Sequence, residues 1–214
     1  RGAAEPWAEC RQGAHAMNAA ALQLFCVAAF LALAVVSVVV ASRSRASAGL
    51  YIANAGVAAT AFALSVAALL GGGDPVLVHL PIGIPWLGAH FRVDALSSFF
   101  LSVINFGAAA ASLIAVGYGR HEHEPHRILP FYPAFLAGMN LVLLADDAFT
   151  FLVSWEFMSL TSFALVLAHH HERENRRAAY VYLTMASFGT LALLFVFGLL
   201  AGPDGGYLFA DIRA

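Results

Sequence analysis

Lysine is missing from all 214 residues, and the 11 basic side chains are all arginine. Charge of either sign is scarce, at 11% of the chain against about 25% in a soluble domain. With a formal net charge of −2, there is no basic surface for nucleic acid. Cysteine is nearly absent. Cys10 and Cys26 stand 16 residues apart, and Cys26 lies in an apolar run. No disulfide framework or metal-ligand spacing follows from them, there is no cysteine cluster for iron–sulfur, and packing is their expected role. No long apolar run has a proline at its middle, so none reads as the broken helix with which many transporters hold an ion. Gly71-Gly72-Gly73 follows an apolar run and is a turn, not a phosphate loop. No nucleophile elbow or heptad pattern is present. No cofactor, metal or redox centre is therefore expected within these residues.

What is abundant is hydrophobicity, at 61%. A membrane span needs about 20 mostly apolar residues, and six runs qualify as candidates: about 19–41, 48–70, 95–117, 131–145, 147–168 and 178–201. The first is too long for a signal-peptide core, and its charges follow it. The expected fold class is all-α, a polytopic membrane helix bundle. Arg43, Arg45, Arg120, Arg127, Arg173, Arg176 and Arg177 fall in the loops after odd-numbered spans. The alternate loops hold only Arg92 and Arg213. The positive-inside rule then places the Arg-rich loops in the cytoplasm and the N-terminus outside. The chain opens on Arg1, and Met17 stands just before the first run. Residues 1–17 are expected to be a disordered leader, and 18–214 the front part of a longer membrane domain.

The long outer loop, 71–94, alternates Val76, Val78, Leu80, Ile82 and Ile84, with breaks at Pro81 and Pro85. This predicts a short hairpin on the outer face. Asp94 sits where an acidic residue caps the third span.

The centre of the sequence is Leu144–His169. Glu156 is the one acidic or basic residue in the interior of any span. A charge there costs several kcal/mol and marks ion pathways more often than structure. On a helix it shares a face with Leu152, Val153, Ser159, Leu160 and Phe163. Tyr180 and Thr184 of the sixth span are candidate supporting hydroxyls. The clusters His121, His123, His126 and His169–His171 lie in predicted cytoplasmic loops, without the spacing of a zinc site. They read as solvated turns near the cytoplasmic face.

Three stretches together resemble a known family. Phe91-Arg92-Val93-Asp94-Ala95-Leu96-Ser97 is similar to the R-x-D-x-L-S entry to the third span of the antiporter-like subunits of respiratory complex I. NLVLLADDAFTFLVSWEFMSL, 140–160, resembles their fourth and fifth spans, with Trp155-Glu156 as the W-E pair. Asn175-Arg176-Arg177-Ala178-Ala179-Tyr180 resembles the start of their sixth. The W-E-F-M-S-L wording is most like the membrane hydrogenases. The resemblance covers most of 18–201. It implies a fold of about fourteen helices in two inverted repeats, with Glu156 as the proton-pathway glutamate and Arg92, Asp94 and Trp155 as structural motif residues. Arg176 and Arg177 support it from the sixth span. The family pairs its glutamate with a lysine on a later, broken span, and the residues here contain none. The implied function is proton translocation in a hydrogenase or NADH-quinone oxidoreductase complex of the cell inner membrane, with other membrane and peripheral subunits as partners. The alternatives are a cation/proton antiporter subunit and a passive membrane scaffold.

Overall fold

The computed structural model describes residues 6–40, 46–72, 75–83, 88–118, 125–169, 171–202 and 206–213. With so little polar side-chain chemistry, the backbone has to satisfy its own hydrogen bonds, and in lipid the helix does this within one segment. The helices are α1 (Pro6–Val40), α2 (Ala46–Gly71), α3 (Ala95–Tyr118), α4 (Phe131–Leu144), α5 (Ala148–Val166), α6 (Arg173–Leu200) and the single turn α7 (Phe209–Ile212). Five contain an apolar segment long enough to cross a membrane: Ala19–Val40, Ser47–Gly71, Ala95–Gly117, Ala148–Val166 and Arg173–Leu200. The fourth expected span is the shorter α4, 14 residues long. It opens on Pro130, with Pro133 in its first turn, where a missing N–H leaves no bond unmade. α1 is helical from Pro6, so it overlaps the residues expected to form a leader, and 1–5 lie outside the described residues.

α4 is central. It packs against α1, α3 and α5, while α2 lies along α3. The core holds Phe30, Leu101, Leu136, Ala137 and Leu144, with Ala58 and Ala108 allowing close approach. Buried amides and hydroxyls tie neighbouring helices together. Gln23 Nε2 donates to Ser65 Oγ at 2.8 Å and to the Ala61 carbonyl at 3.1 Å, joining α1 to α2. Asn105 Nδ2 donates to Asn140 Oδ1 at 2.7 Å, joining α3 to α4. The Ser112 and Tyr132 hydroxyls are 2.8 Å apart on the same two helices. Between apolar helices in lipid, such bonds and small-residue contacts supply the specificity that burial supplies in water.

The expected hairpin is present. β1 (Val76–Leu80) pairs antiparallel with β2 (Ala89–Val93), in a register that sets Val76 opposite Val93 and Leu80 opposite Ala89. Alternation holds on both strands, with Ala89, Phe91 and Val93 buried. Ile82 falls beyond β1, and Ile84 lies outside the described residues. Gly88 has φ +70°, and a Cβ there would collide with the His79 ring, so glycine is needed on both counts.

Candidate functional site

α5 is held at its hairpin end by Asp147, which is fully buried. Its backbone is extended and its side chain caps the helix. Oδ1 accepts from Thr150 N at 2.7 Å, and Oδ2 accepts from Thr150 Oγ1 at 2.5 Å and from His90 N at 2.9 Å. A carboxylate with three donors at a helix N-terminus is a strong cap. The link 145–147 also pairs with segments on both sides. Phe91 bridges Ala145, and Asp147 bridges Leu208. Asp146 N donates to the His90 carbonyl at 2.9 Å, and Phe209 N donates to the Asp146 carbonyl at 3.1 Å.

Charged side chains surround this link. Arg92 spans two acids, with Asp94 Oδ2 at 2.7 Å and Asp146 Oδ1 at 3.6 Å. Arg213 reaches Asp146 at 4.0 Å. Asp94 caps α3 as expected. Its Oδ1 accepts from Ser97 N at 2.8 Å, and its own N–H donates to Ser97 Oγ at 2.8 Å. Burial pushes the Asp94 carboxyl up, but the Ser97 N–H, the Arg92 guanidinium and the Ser97 hydroxyl outweigh it, and its pKa lies below the ordinary value. Asp146 goes the other way: burial raises it, and the pull of Arg92 and Arg213 does not fully compensate.

Glu156 sits two to three turns further along α5 and is half-buried. On its face Leu152 and Ser159 are buried, while Val153 and Leu160 are exposed. The carboxyl therefore lies on the boundary between packed and open surface. Among the described residues no hydrogen bond or ion pair reaches it. Trp155 stacks on Phe151 at 5.8 Å, and its Nε1 is buried without a partner among the described residues. On the α4 side the approach is very close. A Cβ on Gly138 would lie 2.9 Å from Met158 Cα, two residues from Glu156.

α6 runs antiparallel to α5, with Phe163 against Tyr180 at 6.0 Å and Phe151 against Phe197 at 5.9 Å. Interpolating between these contacts puts the level of Glu156 near Thr190, about seven residues back from Phe197. Tyr180 and Thr184 lie nearer the other end of α5. Tyr180 is exposed, and the Thr184 hydroxyl donates to the Tyr180 carbonyl of its own helix. Arg176 and Arg177 are exposed at the start of α6, about 20 Å from that level by helix rise. Ser159 is buried beside Glu156 on α5. His126 and His171 are exposed, whereas His121, His123 and His170 lie outside the described residues. Residue-by-residue reading of the sequence missed Asp146, Asp147, His90 and Arg213. The available signal was Asp147-Ala-Phe-Thr150, an acidic cap three residues before a hydroxyl.

No family model matches the chain. Hydrogenase-4 component B of Escherichia coli is 32% identical over 124 residues, 57% of this chain and 18% of that protein. A provisionally named antiporter subunit of Staphylococcus aureus, mnhD2, is 33% identical over 134 residues, 62% of this chain and 25% of that protein. A chain in the structure of the Mrp complex from Dietzia sp. superposes over 90% of this chain and 36% of its own, with a TM-score of 0.73 and 27% identity. These relatives belong to the antiporter-like membrane subunit family of complex I, and the chain is their homologue. By that homology and its five apolar helices of spanning length it is a multi-pass protein of the cell inner membrane. An uncharacterized Mycobacterium tuberculosis protein is 35% identical over 147 residues, 68% of this chain and 23% of its own length. The chain thus spans about a quarter or less of the curated relatives it matches. A chain of the archaeal membrane-bound sulfane sulfur reductase shares the fold, with a TM-score of 0.71 at 22% identity.

Proposed function

We propose that this antiporter-like chain forms part of an ion-translocating subunit in which Glu156 takes up and releases a proton. The observation that carries this reading is an acid in the interior of a membrane helix, half-buried and held by no partner among the described residues. A structural carboxyl would be tied down as Asp147 is, since an unpaired one costs more than it stabilises. An untied carboxyl at the edge of packed surface keeps an affinity that neighbouring charges can adjust. Ser159 is the buried hydroxyl on its own face. Tyr180, Thr184, Arg176 and Arg177 would act from the far end of α6, as an approach to the site and not as its first contacts. Arg92, Asp94 and Trp155 would serve as framework.

Two couplings fit this role. An antiporter-type exchange of protons for another cation is supported by the likeness to mnhD2 and to the Mrp complex, which extends over 90% of the chain. Coupling to electron transfer in a hydrogenase or quinone oxidoreductase complex is supported by the likeness to hydrogenase-4 component B and by the W-E-F-M-S-L wording. Other membrane subunits are the expected partners in either case.

The test uses the full-length protein assembled with its partners in sealed vesicles. Glu156→Gln keeps volume and removes the titrating proton; it should leave assembly intact and abolish proton movement. Glu156→Asp should fall between. Full proton flux in the Gln variant would end the case for Glu156, and loss of assembly in Glu156→Ala alone would favour the scaffold. Whether flux needs an opposing cation or an electron donor separates the two couplings.

A further inference from the structure

The hairpin end of α5 has an unbalanced set of charges. Three acids, Asp94, Asp146 and Asp147, face two guanidiniums, Arg92 and Arg213. The group placed to supply the remaining positive charge is His90 of β2. Its Nδ1 is buried without a hydrogen-bond partner among the described residues and stands 3.5 Å from Asp147 Oδ2. Its backbone N–H already donates to that same oxygen at 2.9 Å. From β1, the His79 ring lies over the His90 ring with centroids 4.6 Å apart. His79 is exposed, His90 is half-buried and Asp147 is fully buried. The three form a short path from surface to helix cap.

We propose that His90 and Asp147 form a proton-responsive clamp on α5: a proton on His90 completes an ion pair with Asp147 and fastens the helix to the hairpin, and loss of that proton loosens it. Histidine is the side chain suited to such switching near neutral pH. The acids facing His90 from the packed elements are Asp146 and Asp147 of the α4–α5 link and Asp94 at the start of α3. The cations near it are Arg92 and Arg213; each is engaged with Asp146, and Arg92 with Asp94 as well. The clamp acts on the helix that bears Glu156. Its regulatory meaning rests on the function proposed above, while its existence does not.

The experiment is amide hydrogen exchange over Ala148–Leu152, in the full-length protein within its complex in lipid nanodiscs. Rates are taken at about pH 5.5 and about pH 8, to either side of the usual histidine range, and corrected for intrinsic chemistry. The wild type should be about tenfold better protected at the acid value, the scale of one hydrogen bond to a charged group. His90→Gln should remove the difference, and His79→Gln should keep it. An unchanged pH response in His90→Gln would overturn the proposal, as would the absence of any response in the wild type, which needs no variant to fold. The response should persist in a Glu156→Gln background. If that variant also translocates protons normally, the functional reading fails and the clamp stands.

Discussion

Gly138→Ala tests whether the α4–α5 crossing sets the position of α5. The added Cβ would stand 2.9 Å from Met158 Cα, 3.0 Å from its Cβ and 3.2 Å from its N. Carbon atoms rest about 3.5–4.0 Å apart, so the helices must separate by roughly 0.6–1 Å. Two of the three opposing atoms are backbone, so no rotamer change relieves the contact. Overpacking of this kind costs about 1–3 kcal/mol. Replacing glycine in a helix returns about 1 kcal/mol of propensity, leaving a net loss of up to about 2 kcal/mol. Gly107→Ala is the matched control, because its Cβ would meet nothing within 4 Å; it should be neutral or stabilising. The assay is thermal unfolding of the full-length protein in nanodiscs, with proton flux in vesicles alongside. Gly138→Ala should melt below the wild type and lose flux, since Met158 is two residues from Glu156. A melting temperature at or above that of the wild type would show that the crossing is not tight, and the reasoning would fail.

Other expectations follow from the same contacts. Asn105→Leu and Asn140→Leu should each strand a buried amide, so the double variant should cost less than the sum of the singles. A coupling of about 0.6–1.7 kcal/mol is expected from a double-mutant cycle, and strict additivity would refute the pair. Asp94 has a lowered pKa, so it stabilises the fold above the ordinary carboxylate range and that contribution is lost as pH falls through its folded value. Asp94→Asn should therefore be less stable than the wild type at neutral pH, with the gap closing in acid; a gap independent of pH would count against the cap. Asp146 has the opposite sign: its proton is held more tightly when folded, so its contribution is lost as pH rises through the folded value. Asp146→Asn should accordingly stabilise the fold at neutral pH in a melting series, and destabilisation there would mean that the Arg92 and Arg213 contacts dominate.

The helices and hairpin were legible because each rests on a local rule. Long apolar runs between arginines can only be helices in lipid, and alternation from Val76 to Leu80 is a strand signal wherever it occurs. Asp94 was legible as a cap because Ser97 follows at the right spacing. The surroundings of Asp147 were not. His90, Leu208 and Asp147 are far apart in sequence, and only the folded chain brings them together. Asn105 and Asn140 also stand alone in their runs, and nothing local says that each amide finds the other. The sixth span was assigned hydroxyls by type, whereas interpolation between the Phe163–Tyr180 and Phe151–Phe197 contacts puts the level of Glu156 nearer Thr190 than Tyr180 or Thr184.

The shortness of α4 has a consequence for how it is supported. Its 14 residues make a rod about 21 Å long, against a hydrocarbon thickness of about 30 Å. Such a rod cannot cross alone, and an uncapped end would leave peptide groups that lipid cannot satisfy. At the hairpin end the His90 carbonyl and the Phe209 N–H meet the peptide groups of Asp146. Along its length α1, α3 and α5 pack around it, so α4 is carried by protein and not by the bilayer.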